Sequence, residues 1–134
     1  MKKITIILFL SLVSFLGFSF FASVQDATDD ITKAINSGNS KELAKFFNTT
    51  IDLTLPGYED TYSKAQAEII VKEFFTKNTP KSFTVIHKGL SKDNSPYIIG
   101  KLETSKNSFR VTYLLRKVSD KFLIHQLRFE PKVE

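Results

Sequence analysis

Tyr113, Gln126 and Arg128 are the side chains whose types and spacing could hold a ligand. They sit on two long alternating runs, Phe109 to Val118 and Lys121 to Glu130, joined at Ser119-Asp120. The first run buries Phe109, Val111, Tyr113 and Leu115 by the period-two rule of a half-buried strand. In the second, Leu123, His125, Leu127, Phe129 and Phe122, Ile124, Gln126, Arg128 are both credible inward sets, so loop length decides. A two-residue loop pairs positions whose numbers sum to 239, placing Tyr113 opposite Gln126 and Val111 opposite Arg128. A three-residue or bulged connection makes the sum 240, so that Tyr113 faces Leu127 and Arg128 points to water. The two-residue loop matches the strand lengths best and is the expected one, although neither Ser nor Asp suits a positive φ. In that register a phenol, an amide and a guanidinium line one end of the concave face. A guanidinium there is costly to bury without an anion, and a ligand carboxylate could pair with it bidentately. The competing role for Arg128 is a rim residue that covers apolar surface with its stem or pairs with Asp52 or Glu130.

His87 and His125 are the only histidines, and neither has an acid at a spacing that would orient it. A catalytic base needs such a partner. The plainer role for His87 is a partly buried strand residue, and its sharper one is a fourth ligand contact. No metal cluster is recognisable, and with no cysteine there is neither a zinc-thiolate site nor a disulfide framework. No catalytic residue and no cofactor are assigned.

Lys2-Lys3 precede an apolar run from Ile4 to Phe21, broken by Thr5, Ser11, Ser14, Gly17 and Ser19. Residues 1–22 therefore read as a secretory signal peptide, with an uncleaved anchor as the alternative; either way residues 23–134 form one exported domain, periplasmic or secreted. The absence of a thiol after the signal argues against a lipoprotein. Charge divides along the chain: residues 23–80 carry 6 Lys+Arg against 9 Asp+Glu, net −3, and residues 81–134 carry 11 against 5, net +6. The basic half has no nucleic-acid motif and nucleic acid is not an expected partner; an anionic envelope surface fits better.

The elements that must position these residues follow from periodicity. Ala27, Ile31, Ala34 and Ile35 make the stripe of a short helix ended by Gly38, and Asn39 to Glu42 resembles a capping box opening a second helix that carries Leu43 and Phe47 one turn apart. Thr50 to Leu55, Pro56-Gly57 and Tyr58 to Tyr62 make a hairpin with a type II turn. Ser63 with Gln66 caps a third helix whose face is Ala67, Ile70, Val71 and Phe74, stopped by Asn78 and Pro80. Phe83, Val85 and His87 alternate on one face of the next strand, and Tyr97 to Thr104 follows after a turn-rich segment. The order αα-ββ-α-ββββ is that of an α+β fold. Three helices cannot cover both faces of six strands, so a curved antiparallel six-stranded sheet should wrap the helices into a cone with an open mouth.

That order resembles the nuclear transport factor 2-like superfamily. More narrowly, Leu53-Thr54-Leu55-Pro56-Gly57, Tyr62-Ser63-Lys64-Ala65-Gln66-Ala67-Glu68, Lys81-Ser82-Phe83-Thr84-Val85-Ile86-His87 and Gln126-Leu127-Arg128 resemble a family of short exported bacterial proteins known as a domain of unknown function. The resemblance implies the cone fold and a pocket, and it carries no catalytic residue over, because none of the superfamily's catalytic patterns matches here. The expectation is a non-catalytic exported domain whose Phe-rich pocket binds a small, partly apolar or anionic ligand through His87, Tyr113, Gln126 and Arg128. An interaction module forming a homodimer through the sheet face comes second, and a small isomerase- or lyase-like enzyme using His87 or Tyr113 third. Membrane contact is expected only through an uncleaved signal segment.

Overall fold

The computed structural model describes residues 23–132; the signal segment assigned to residues 1–22 lies outside them. Helix α1 occupies residues 23–36 and buries Ala27, Ile31, Ala34 and Ile35. It ends where Gly38 takes φ 66 and the Gly38 and Asn39 amides donate to the carbonyls of Ile35 and Ala34. Helix α2, Ser40–Ala44, is capped by the Asn39 side chain, which accepts from the Glu42 amide at 3.0 Å. It is shorter than its sequence pattern suggests. Phe47, expected on this helix, instead opens strand β1, Phe47–Leu55. The tertiary reason is that the Phe46 carbonyl accepts from the Ile124 amide at 2.6 Å, so sheet pairing begins before a second helical turn can form.

Strand β1 turns at Pro56-Gly57, with Gly57 at φ 87 as a type II turn requires, into β2, Tyr58–Ser63. Helix α3, Lys64–Lys77, starts with the expected capping box between Ser63 and Gln66 and buries Ala67, Val71, Phe74 and Phe75. Strands β3 (Pro80–Leu90), β4 (Pro96–Thr104), β5 (Ser108–Val118) and β6 (Lys121–Pro131) then form a meander. The sheet order is β2-β1-β6-β5-β4-β3. The chain thus leaves the sheet at one edge and re-enters at the other, and α3 makes the crossing. Its 14 residues span about 21 Å, close to the roughly 24 Å of five inter-strand spacings.

The expected curved sheet of six strands with three helices is present, and one pair departs from the antiparallel rule: β1 runs parallel to β6, which makes the sheet mixed. Local pattern cannot reveal this, because the two strands meet only through the long excursion of α3 and the meander. Helices cover one face, where Phe74 packs against Phe109 and Phe129 with ring centroids 5.1 and 4.9 Å apart. Among the described residues no helix covers the other face of the sheet.

Gly100 shows how tightly the covered face is filled. An added Cβ there would lie 2.4 Å from the ring of Phe83 and 3.0 Å from the Thr84 carbonyl. Because Phe83 is itself buried, its ring has little room to retreat. Gly100→Ala is expected to destabilise the fold by about 1–3 kcal/mol, the usual range for overpacking, measured as a lower urea midpoint at unchanged slope. An unchanged midpoint would mean that Phe83 is loosely held.

Candidate functional site

Buried Phe, Ile and Leu side chains pack the interior, and a cleft of about 320 Å³ lies between α3 and the sheet. Three segments build it. From α3, Ile70 and Phe74 supply wall, and Glu73, Lys77 and Asn78 supply rim. The β1–β2 turn contributes Leu55, Pro56 and Tyr58. The far side consists of Asn107 and Phe109 at the start of β5 and Pro131 at the end of β6.

Local hydrogen bonds fix the rim. Asn78 ends α3 by donating from its backbone amide and from Nδ2 to the Phe74 carbonyl, at 2.8 and 3.2 Å. Thr104 Oγ1 accepts from the Lys106 and Asn107 amides at 3.2 and 3.0 Å and donates to the Asn107 carbonyl at 2.7 Å. The Ser105 amide donates to the Thr79 carbonyl at 2.9 Å, tying this turn to the end of α3. Asn78 and Asn107 are thereby held on one margin. Lys77 is paired with Glu73 at 3.0 Å, and that carboxylate holds its ammonium above the usual lysine range. The rim is consequently polar and charge-balanced, over an apolar floor.

None of the four residues singled out in the sequence lines this cleft. Two β-bulges move three of them to the open face. In β6 the two-residue loop forms as expected, with Ser119 at φ 56, and Val118↔Lys121 through Leu115↔Ile124 follow the 239 sum. His125 is then left over, and Leu114↔Gln126 through Phe109↔Pro131 follow the 240 sum. The strand therefore buries Phe122 and Ile124 from one inward set and Leu127 and Phe129 from the other. Tyr113 faces Leu127, not Gln126, so the pairing expected from a uniform two-residue register does not occur. Gln126 and Arg128 point away from the helices, and Arg128 Nε lies 3.0 Å from Glu130, one of the two acids named as its alternative partner.

In β3 a slip between Val85↔Gly100 and His87↔Ile99 leaves Ile86 unpaired and turns His87 to the open face, away from Phe83 and Val85. His87 Nε2 there stands 3.3 Å from the Tyr97 hydroxyl. Tyr97 folds across Gly89, where an added Cβ would come within 2.5 Å of its ring. His125, at the other bulge, has a half-buried ring whose Nε2 makes no hydrogen bond. Burial first, and Arg116 second, hold its pKa below the usual histidine value against the opposing pull of Asp52. Among the described residues no group of three or more His, Asp or Glu is placed to hold a metal ion.

Tyr113 alone stays inside. It is 0% exposed and its hydroxyl makes no hydrogen bond of good geometry. The Thr28 and Thr32 hydroxyls on α1 oppose, without overcoming, the rise in its pKa that burial imposes. The proton of Thr28 is already committed to the Val24 carbonyl at 2.9 Å.

A family model described as Domain of unknown function (DUF4783) matches residues 28–130. The chain belongs to the DUF4783 family. Two solved DUF4783 structures are similar over most of the domain: one from Bacteroides ovatus (36% identity, TM-score 0.72, covering 78% of this chain and 94% of that one) and one from Bacteroides uniformis (35%, 0.73, 79% and 97%). A protein from Streptomyces avermitilis, provisionally named a dehydratase of the NTF2-like family, shares the fold at 11% identity (TM-score 0.62, covering 88% and 99%). This DUF4783 chain therefore has the NTF2-like cone that its element order resembles. No match is found among curated proteins. The cleft residues carry no chemical signature in the sequence, since they are helix-stop, turn and strand-end residues that meet only when the cone closes.

The buried phenol makes a measurable statement. An unfolded chain ionises tyrosine near pH 10, whereas the folded chain resists because Tyr113 is pushed well above that value. Between these two values the unfolded state has the fewer bound protons, so this contribution to stability is intact below about pH 10 and declines as pH rises. The slope is about 1.4 kcal/mol per pH unit. Tyr113→Phe removes an unpartnered hydroxyl and should be neutral to about 1 kcal/mol stabilising near pH 9. By about pH 11 its advantage over the parent should have grown by roughly a further 1.4 kcal/mol. Parallel urea titrations of the two proteins would check this, and equal pH dependence would show that the phenol is solvated.

Proposed function

We propose that this DUF4783 protein is an exported, non-catalytic binding module whose cleft at the cone's mouth takes a small, partly apolar and uncharged ligand. The observation that carries the reading is the cleft's make-up: about 320 Å³, within the lower range of small-molecule sites, with Ile70, Phe74 and Phe109 as walls and amide groups at one margin. Rings of this kind supply area for burial, and Asn78 and Asn107 offer donors and acceptors that would orient a polar end. Because Glu73 already neutralises Lys77, the rim gives no net advantage to an anion. Export rests on residues 1–22, with their lysine pair and apolar run.

Neutral aromatic amides such as benzamide are suitable first ligands, followed by mass spectrometry of whatever small molecule accompanies the protein from its own envelope. Ile70→Trp would fill the cleft from a half-buried position without emptying the core. It is expected to weaken amide binding by about tenfold or more while leaving the unfolding midpoint close to that of the parent. Undiminished binding by a folded Ile70→Trp protein would move the ligand elsewhere.

A further inference from the structure

The geometry points to a second site, on the open face of the sheet, for an anionic amphiphile: a single carboxylate carried on a short aliphatic chain. The bulge in β3 makes the apolar part. With no pairing partner, Ile86 is pushed outward to 63% exposure beside the half-buried Ile99 of β4, flooring a groove of about 530 Å³. A large aliphatic side chain in open water at a bulge has no role in the core, and bulges commonly re-aim side chains toward sites.

The charged part lies alongside. Lys101 and Arg110 are direct cross-strand partners, and of the two only Arg110 lacks an ion pair among the described residues. Lys132 and His87 also line the groove, and among the described residues no acidic one does. The neighbouring acids are already engaged. Glu103 binds Lys101 at 2.8 Å and receives the Ser108 hydroxyl at 2.5 Å, with Lys132 also lowering its pKa. Glu130, opposite Arg110 in register, is 3.0 Å from Arg128. Arg110 therefore has no ion pair or side-chain hydrogen bond among the described residues. A guanidinium fork that is free, next to an aliphatic floor and opposed by a second cation, matches a carboxylate held bidentately with its chain laid over Ile86 and Ile99. The site is a groove and not a flat charged plane, so the occupant is a soluble molecule and not a membrane surface.

The experiment is an NMR titration of the uniformly labelled protein with octanoate, using octanol and acetate as the two half-ligands. Octanoate should saturate shifts at Ile86, Ile99 and Arg110, while octanol and acetate each bind about tenfold or more weakly. Arg110→Gln should lose about tenfold in octanoate affinity, and Arg116→Gln, on the same strand outside the groove, should lose none. Equal binding of octanol would reduce the groove to an apolar patch, and equal binding of acetate would reduce it to an adventitious charge. Shifts centred on Ile70 and Phe74 would assign the amphiphile to the cleft. Adsorption to phosphatidylglycerol vesicles without octanoate binding would make it a membrane face, and a dimer in sedimentation that protects Ile86 would make it a self-association face. Each of these results overturns the proposal.

Discussion

Phe74 on the crossing helix must meet Phe109 and Phe129 on the sheet, and this contact sets the shape of everything around it. The two ring separations, 5.1 and 4.9 Å, fix how near α3 lies to the floor formed by β5 and β6. Each ring fully buried contributes on the order of 1.5–3 kcal/mol from removal of apolar surface alone. In a domain without disulfides that contribution is hard to replace. Strands of eleven residues reach well past the width of the single helix that crosses them, so they must bend to keep inward side chains against the core. Curvature is thus a consequence of core packing, and the open mouth follows where α3 ends and the strands run on.

A bend of that size is taken up by inserting residues. At His125 and at Ile86 one strand carries an extra residue, the ladder slips by one, and every side chain beyond the slip changes face. The first slip left a trace in the sequence: both phases of Lys121 to Glu130 looked apolar, and the protein buries the first half of one and the second half of the other. The choice between two uniform registers had no correct answer. Helix α1, the hairpin turn at Pro56-Gly57 and the Ser63 capping box were legible because each depends on residues within one or two turns of chain. The parallel pairing of β1 with β6, and the early start of β1 at Phe47, depend on segments some seventy residues apart and could not be read locally.

The same slips explain why the expected site dispersed. Tyr113 precedes any bulge on its own strand and stays where alternation puts it. His87, Gln126 and Arg128 each lie just beyond a bulge and emerge on the uncovered face. The cleft that does form is lined by residues whose importance comes from the meeting of a helix end, a turn and two strand ends. Membership of a family defined by a shared domain, and a fold shared with proteins of unrelated activity, leave the chemistry of that cleft to be argued from its own lining.

Electrostatics then distinguishes the two faces of the sheet. The covered face can tolerate a neutral phenol without a well-placed partner, at a cost of no more than about 1 kcal/mol, but an unpaired guanidinium there would cost far more. Any arginine that is to meet an anion must therefore sit where water can solvate it in the empty protein. The β6 bulge does this for Arg128, while Lys101 and Arg110 face outward by plain alternation along an unbroken β4–β5 ladder, and the phenylalanines remain inside. Hence the interior end of the cone offers rings and amides, and the exterior offers guanidinium and ammonium groups beside aliphatic side chains. A neutral molecule and an anion would have to approach this domain from opposite sides of the same sheet.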